Sequence, residues 1–330
     1  MEVAVIGVGS MGINHLRVYT ELDGVEVVGA SDISRGQLEK VAGRFSVKTY
    51  SDYKDLIEKE KPQAVSITVP TSEHETVATF CLEHGAHVLV EKPIAATVEE
   101  GRRMIALAEK VGKQLMVGHI IRFNPAMQSL KQRLENGDAG KVFQVFCRRA
   151  GPFPARIRDV GVVVDLAPHD VDIMRFLTGK EPIRVYAETE QQIHTDHEDL
   201  LFGLLRFEDG ITGALEINWL TPTKMRETLV LGEKGLFRVD DLMQDLYFYE
   251  NPQANGELWS PFRAIRGVSE GSMTRFSIQR HEPLKSEIQA FIAAVHSGET
   301  VPVTGQDGLK ALRLSLALVE SGKTHQVIEV

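Results

Sequence analysis

A short apolar run, Glu2-Val3-Ala4-Val5-Ile6, leads into Gly7-Val8-Gly9-Ser10-Met11-Gly12 and then into the amphipathic stretch Ile13–Glu21. A Gly-x-Gly-x-x-Gly pattern between a strand and a helix restricts the fold more than any other feature of this chain. Gly7 allows the tight turn, Gly9 lets backbone approach a pyrophosphate, and Gly12 lets helix and strand pack closely. The helix amino terminus attracts phosphate oxygens, which brings Ser10 and Met11 into the same site.

The following residues agree with that start. Apolar runs at Val25–Ser31, Ala64–Val69, His87–Val90 and Gln114–Val117 alternate with helical patterns at Arg35–Phe45, Tyr53–Lys59, Ser72–His84 and Val98–Val111. Strands that are apolar throughout and separated by helices predict a parallel sheet covered on both faces. The expected class is α/β, with residues 1–120 forming an N-terminal Rossmann domain built on a doubly wound parallel sheet.

The second half has a different rhythm. A helical pattern at Pro125–Asn136 and a strand at Val142–Arg149 precede strands joined by tight turns. Leu200–Phe207, Glu208-Asp209-Gly210 and Ile211–Trp219 predict a hairpin. Glu227–Leu231 and Leu236–Val239 flank Gly232-Glu233-Lys234-Gly235, Leu246–Tyr249 adds a strand, and helices at Pro283–Ser297 and Gly305–Ser321 close the chain. Residues 121–330 are therefore expected to form a C-terminal α/β domain with a large open, mostly antiparallel sheet, serving substrate binding and oligomerisation. Ile211–Trp219 alternates so that one face is far more apolar than the other. A broad open sheet with one free face is expected to be a subunit interface, since bare apolar faces are seldom left in water.

Composition excludes several partners. The 330 residues carry a net charge of −9 with 43% hydrophobic and 25% charged residues, a globular balance that disfavours nucleic acid or an anionic membrane. No apolar run approaches the roughly 20 residues needed to cross a bilayer. Cys81 and Cys147 match no metal or redox spacing and fit a reducing compartment. With no basic leader before the first strand, a cytoplasmic location is expected.

Asp32 ends the second strand, where a carboxylate accepts hydrogen bonds from ribose hydroxyls and repels a 2′-phosphate, favouring NAD. Arg35 would instead neutralise such a phosphate, leaving NADP open; Asp32 as a plain helix cap is the bland alternative. Ile33, the segment Val69-Pro70-Thr71 and His74 are placed at the same crevice, although a histidine at a helix start has an ordinary reading too.

Lys92, in Val90-Glu91-Lys92-Pro93, stands at the carboxyl end of a buried strand, over the crevice where open parallel sheets bind ligands. A lysine there can move a proton or polarise a carbonyl. Asp165, His169 and Asp172 are spaced to share one helical face, with Pro168 tolerated if it lies in the first turn. Such a face can tune a proton shuttle; the alternative is a helix start capped by Asp165 with His169 on the surface. No acidic residue falls between Lys141 and Arg158, while Arg148, Arg149, Arg156 and Arg158 do. Arginine forks suit phosphate and carboxylate oxygens, so Arg149, Arg156 and Arg158 suggest an anionic substrate, against a solvated loop or intersubunit ion pairs. His194, Asp196, His197, Glu198 and Asp199 read as a solvated loop rather than a metal site, and no metal is expected. Trp219 reads as sheet packing.

The glycine run, Glu91-Lys92-Pro93, Val117-Gly118 with Arg122-Phe123-Asn124-Pro125, and Gly161 with Asp165, His169 and Asp172 occur in that order. This combination resembles the glucose–fructose oxidoreductase / inositol dehydrogenase / rhizopine-catabolism (Gfo/Idh/MocA) family over essentially the whole chain. The resemblance implies oxidation of a sugar or cyclitol hydroxyl by a pyridine nucleotide, in homodimers or homotetramers joined through the open sheets. By position it implies Lys92 as the catalytic lysine and Asp165 and His169 as its companions, with Lys92 or His169 taking the proton. Glu91, Pro93 and Arg122 go to the cofactor pocket. Where many members have two adjacent glycines, this chain has Gly161-Val162. The run from Arg156 to Val162 looks like the branch acting on the 3″-hydroxyl of UDP-N-acetylglucosamine. A myo-inositol or free-sugar dehydrogenase is the neighbouring alternative, and a non-catalytic dinucleotide-sensing regulator is a third.

Overall fold

The computed structural model describes residues 1–154, 160–193, 196–251 and 271–330. Two compact units emerge: Met1–Phe123 with His281–Leu314, and Asn124–Arg280 with Ser315–Val330.

In the first unit the strands are β1 (Glu2–Ile6), β2 (Glu26–Ser31), β3 (Thr49–Tyr50), β4 (Ala64–Ile67), β5 (His87–Glu91) and β6 (Leu115–Gly118). They form a parallel sheet in the order β3-β2-β1-β4-β5-β6. Helices α1 (Ser10–Thr20), α2 (Arg35–Phe45), α3 (Tyr53–Glu60), α4 (His74–Glu83) and α5 (Val98–Val111) make the crossovers. Because the sheet is covered on both faces, Val3, Val5, Val65, Ile67, Val88 and Val90 are buried whichever way they point. Strand order reverses between β1 and β4, which opens a crevice at their carboxyl ends.

The sequence pattern placed the closing helices with the second domain. The structure returns His281–Leu314 to the first unit. Helix α8 (Pro283–Ser297) packs on α1 and on the single turn Ile120–Phe123. Its stripe of Leu284, Ile288 and Phe291 is buried there. A stripe shows that a helix must bury one face; it does not say against which surface.

The second unit contains α6 (Pro125–Glu135), α7 (Val162–Thr178), and strands β7 (Val142–Pro152), β8 (Pro182–Glu190), β9 (Leu200–Phe207), β10 (Thr212–Asn218), β11 (Leu220–Gly232), β12 (Gly235–Asp240), β13 (Asp245–Glu250) and β14 (Met273–Phe276). Helix α9 (Gly305–Thr324) and β15 (Ile328–Glu329) end the chain. Among the described residues the sheet order is β14-β13-β12-β11-β7-β10-β9-β8-β15. Every neighbouring pair is antiparallel except β7 and β10. The predicted hairpin pairs Arg206 with Thr212 through Leu200 with Asn218. Helix α7 lies on one face of this sheet, and Gly213 makes room there for the Met174 sulfur. Phe143, Phe202, Leu204 and Leu231 remain exposed. The alternation along β9, with Leu201, Gly203 and Leu205 buried and Phe202 and Leu204 out, assigns the exposed pair to the opposite face.

Candidate active site

The glycine loop distributes its tasks unequally. Gly7 has φ +84°, and a side chain there would also strike the Thr68 backbone at 2.8 Å. A Cβ on Gly12 would stand 1.9 Å from the Gly7 carbonyl oxygen, so α1 can approach β1 only with glycine at that position. A Cβ on Gly9 would meet no atom within 4 Å. The protein itself does not need that glycine; the space above it suits a ligand. Gly9 is also the N-cap of α1, with no side-chain cap and no acidic residue in the first turn, which leaves the positive helix end to an anion.

Asp32 is set by this loop. Its Oδ2 accepts the Val8 N–H at 2.8 Å and its Oδ1 accepts the Ser34 N–H at 2.8 Å. It is thus not the cap of α2, whose N-cap is Ser34. Ile33 beside it is 98% exposed, an apolar side chain with nothing of its own unit over it. Arg35 is exposed and pairs with Glu39 one turn along α2 at 3.1 Å.

Lys92 follows β5, and its peptide bond to Pro93 is cis. The Lys92 backbone N–H donates to Glu91 Oε2 at 3.2 Å. Glu91 Oε1 meets His15 Nε2 at 3.1 Å, His15 Nδ1 meets Ser66 Oγ at 3.1 Å, and Ser66 Oγ meets Tyr19 Oη at 2.8 Å. Tyr19, Ser66, His15 and Glu91 thus form one continuous hydrogen-bonded chain. Burial works to raise the Glu91 carboxyl, but the His15 hydrogen bond and charge, with the Lys92 charge and amide, outweigh it and hold Glu91 below the usual carboxylate value. A carboxylate therefore stands fixed beside the Lys92 backbone.

Two residues expected at the cofactor are braces instead. His74 is 1% exposed, with Nδ1 2.9 Å from the Pro93 carbonyl and Nε2 3.0 Å from that of Val69. Burial, opposed by those two carbonyls, lowers its pKa. It ties the end of β4 to the Lys92-Pro93 segment rather than lining the crevice. Arg122 is buried and pairs with Asp307 at 3.2 Å, so its guanidinium serves the first unit's interior. Val69, Thr71 and Lys92 itself are partly exposed at the sheet's carboxyl edge, and Pro70 is exposed.

In the second unit α7 starts at Val162, which puts Pro168 in the second turn and corrects the first-turn expectation. The proline has no N–H to offer the Val164 carbonyl one turn back. Asp165 and His169 are partly exposed on α7, while Asp172 is buried against Arg175 at 3.6 Å. Gly161 is the N-cap of α7: a Cβ would lie 2.0 Å from Glu198 Oε1. The Glu198 carbonyl and carboxylate accept the Val162 and Val163 N–H groups at 2.9 and 3.3 Å. Asp199 is buried and accepts the Gln192 N–H at 3.0 and 3.1 Å. Glu198 and Asp199 of that loop both bond backbone N–H groups, and among the described residues no cluster could hold a metal ion. His194, Arg156 and Arg158 lie outside the described residues.

Arg149 departs from its expected role. It is 5% exposed, and its Nε and Nη2 bond Asp170 Oδ1 at 2.8 and 2.7 Å, with Asp241 at 3.5 Å. Its fork is committed inside the second unit instead of being offered to substrate. Burial, opposed by Arg149 and reinforced by Asp170, pushes Asp241 up to about 7. Burial and then the Arg149 charge bring Arg226 down to about 10, while Asp165 is among the acids acting in the other direction.

His15, Ser66, Tyr19, Asp307 and Asp241 had not been singled out from the sequence. Their partners lie dozens of residues away, and no local spacing marks them.

Comparison with known proteins now has a geometry to explain. The model of an oxidoreductase family with an NAD-binding Rossmann fold matches residues 1–119, and that of the GFO/IDH/MocA C-terminal domain matches residues 127–238. The chain belongs to the Gfo/Idh/MocA family. It is 28% identical to a UDP-N-acetylglucosamine 3-dehydrogenase from Acidithiobacillus ferrooxidans, over 96% of this chain and 95% of that protein. It is 27% identical to a myo-inositol 2-dehydrogenase from Thermotoga maritima, over 97% and 96%. A solved structure of the Acidithiobacillus enzyme superimposes with a TM-score of 0.87 at 26% identity, covering 98% of each chain.

Within this Gfo/Idh/MocA protein the cofactor is NAD, and the first unit is its binding domain. Gly9→Ala is expected to raise the NAD dissociation constant about tenfold or more while leaving thermal stability essentially unchanged. Gly12→Ala should cost about 1–3 kcal/mol or more of folding stability, because backbone rather than ligand occupies the space. Calorimetric NAD titration and thermal unfolding of both variants check the contrast.

Proposed function

We propose that the protein is an NAD-dependent dehydrogenase that oxidises a secondary hydroxyl of a nucleotide-linked amino sugar, the 3″-hydroxyl of UDP-N-acetylglucosamine being the leading substrate. The observation that carries the reaction type is the placement of Lys92 on the same sheet edge as the open space over Gly9, with Glu91 held ionised beside it. Bound NAD would supply the hydride acceptor for the substrate carbon. The chain must position that carbon within about 3–3.5 Å of the acceptor and manage the hydroxyl proton.

Lys92 Nζ, carried by a backbone amide that Glu91 fixes, polarises the hydroxyl oxygen or takes its proton. Asp165 and His169, placed by the family motif on α7, are its proposed companions, with His169 the alternative proton acceptor. Gly7, Gly9, Ser10, Met11 and Gly12 hold the pyrophosphate, and Asp32 with Ile33 the adenosine end. Asp32 favours NAD over NADP through repulsion of a 2′-phosphate. Arg156 and Arg158, with their basic stretch, support an anionic substrate, as does the likeness to the Acidithiobacillus enzyme.

The second reading, a myo-inositol dehydrogenase, is favoured by the similar likeness to the Thermotoga protein. Appearance of reduced cofactor with NAD, then NADP, across UDP-sugars, free sugars and cyclitols separates the two. Turnover with UDP-N-acetylglucosamine is expected, and it should collapse in the Arg156→Gln, Arg158→Gln double variant through KM. Turnover with inositol alone would refute the nucleotide-sugar reading, and none with any substrate would favour the sensing regulator. Lys92→Ala is expected to lower kcat by about a hundredfold or more while NAD affinity stays nearly constant.

The open sheet face is the proposed interface between copies of the chain. It exposes Phe202 and Leu204, and across Ala214 of β10 the row of Leu204 continues to half-buried Phe146 and Leu229. Phe202→Asp with Leu204→Asp should convert a dimer or tetramer to a monomer in sedimentation velocity; an unchanged sedimentation coefficient would refute this interface.

A further inference from the structure

Helix α8 carries a carboxyl group for which the dehydrogenase reading has no use. Glu287 is 0% exposed, and among the described residues neither of its side-chain oxygens has a hydrogen-bond partner. Among the described residues, α8 packs chiefly on α1 and the turn Ile120–Phe123. Their titratable groups are otherwise engaged. Arg17 pairs with Glu21 and Glu282, and Arg122 with Asp307. His15 stands between Glu91 and Ser66, and Tyr19 is bonded to Ser66. The charge that acts on Glu287 is that of Glu91 on β5, and Glu287 acts in turn on Tyr19.

A carboxyl group in that position has two ways to exist. Ionised, it would be a second buried negative charge near Glu91, with no cation of its own. Protonated, it is a neutral polar group beside an ionised one. Two carboxyls sharing a buried site lose their protons in separate steps, the better-solvated or better-paired one first. Glu91 has His15 and the Lys92 amide; Glu287 has neither. Burial first, and then the Glu91 charge, raise Glu287 well above the ordinary glutamate value.

We propose that Glu287 is a positioning residue for Glu91 and, through it, for Lys92: a carboxylic acid kept neutral so that Glu91 alone carries negative charge at the Lys92 backbone. Were Glu287 to ionise, its negative charge would favour protonation of Glu91, and the acceptor that holds both His15 and the Lys92 N–H would weaken. The buried acid thus protects the charge state of its neighbour without touching substrate or cofactor. Its link to Lys92 chemistry rests on the dehydrogenase reading; its protonation state does not.

The test compares wild type with Glu287→Gln, which keeps shape and neutrality but has no proton to lose. A group whose folded pKa lies above its unfolded value stabilises fully below the unfolded pKa and loses that contribution as pH rises toward the folded one. Above about pH 5 the unfolded glutamate is ionised, while the native one stays neutral until its own raised pKa is reached. The melting temperature of Glu287→Gln should therefore gain steadily on wild type across that range. A constant difference would overturn the proposal.

Infrared spectroscopy of the cofactor-free protein at neutral pH should show the carbonyl stretch of a protonated carboxylic acid, lost in Glu287→Gln; a wild type without it is a second refutation. With NAD and UDP-N-acetylglucosamine, the alkaline limb of the kcat profile should move to higher pH in Glu287→Gln, which a purely space-filling side chain would not cause. An unmoved limb removes the positioning role. Absence of turnover with any alcohol would defeat the dehydrogenase reading instead, while unfolding and infrared still decide whether Glu287 is a neutral acid.

Discussion

The contact between Gly12 and the Gly7 carbonyl governs the first unit. With a side chain at Gly12, α1 would be held off β1, since the Cβ would lie 1.9 Å from a backbone oxygen that cannot swing away. The position of α1 decides what its inward face meets. His15 reaches both Ser66 of β4 and Glu91 of β5, and Tyr19 reaches Ser66 from one turn further on. Glu91 in turn holds the Lys92 amide. One close approach thus connects the glycine loop, where an anion would bind, to the strand end that carries the lysine.

The polar groups under this edge are arranged by charge as much as by shape. Glu91 is ionised because His15 and Lys92 outweigh its burial, whereas Glu287 has no such partners. His74 braces the same edge from between two carbonyls of adjacent segments, a neutral ring donating its one N–H to one of them. The second unit solves a similar problem differently. Its buried Arg149 is shared between Asp170 and Asp241, and the acid with the poorer contact, Asp241, is driven up to about 7. A buried cation that satisfies one carboxylate well leaves less for the next.

Much of this was legible from residue order. The alternation of apolar runs and helical patterns defined β1, β2, β4, β5 and β6 of the parallel sheet, since their buried faces make them read as uninterrupted, whereas the two half-buried residues of β3 were not singled out. The Leu200–Phe207 hairpin was announced by its turn and alternation, and it pairs in that register. The glycine loop announced its own context. Other features left no mark. Strand β8 was not singled out although it alternates, and the parallel pairing of β7 with β10 joins segments more than sixty residues apart in sequence. Pro168 looked like a first-turn residue, but α7 begins earlier because Glu198, from a distant loop, accepts the Val162 and Val163 N–H groups. Arg122 was placed at the cofactor by the family resemblance and Arg149 at the substrate by its basic stretch; each is buried beside an aspartate outside its own element.

The sequence by itself determined the class of the chain, the order of its elements, the glycine loop and the strand-ending lysine, because periodicity, turn chemistry and glycine demands are local properties. Only the tertiary structure decided which buried charges find partners, which surface α8 covers, and that Glu91 and Glu287 share one neighbourhood. Those outcomes depend on desolvation and on distances between residues remote in sequence, and no short pattern carries either.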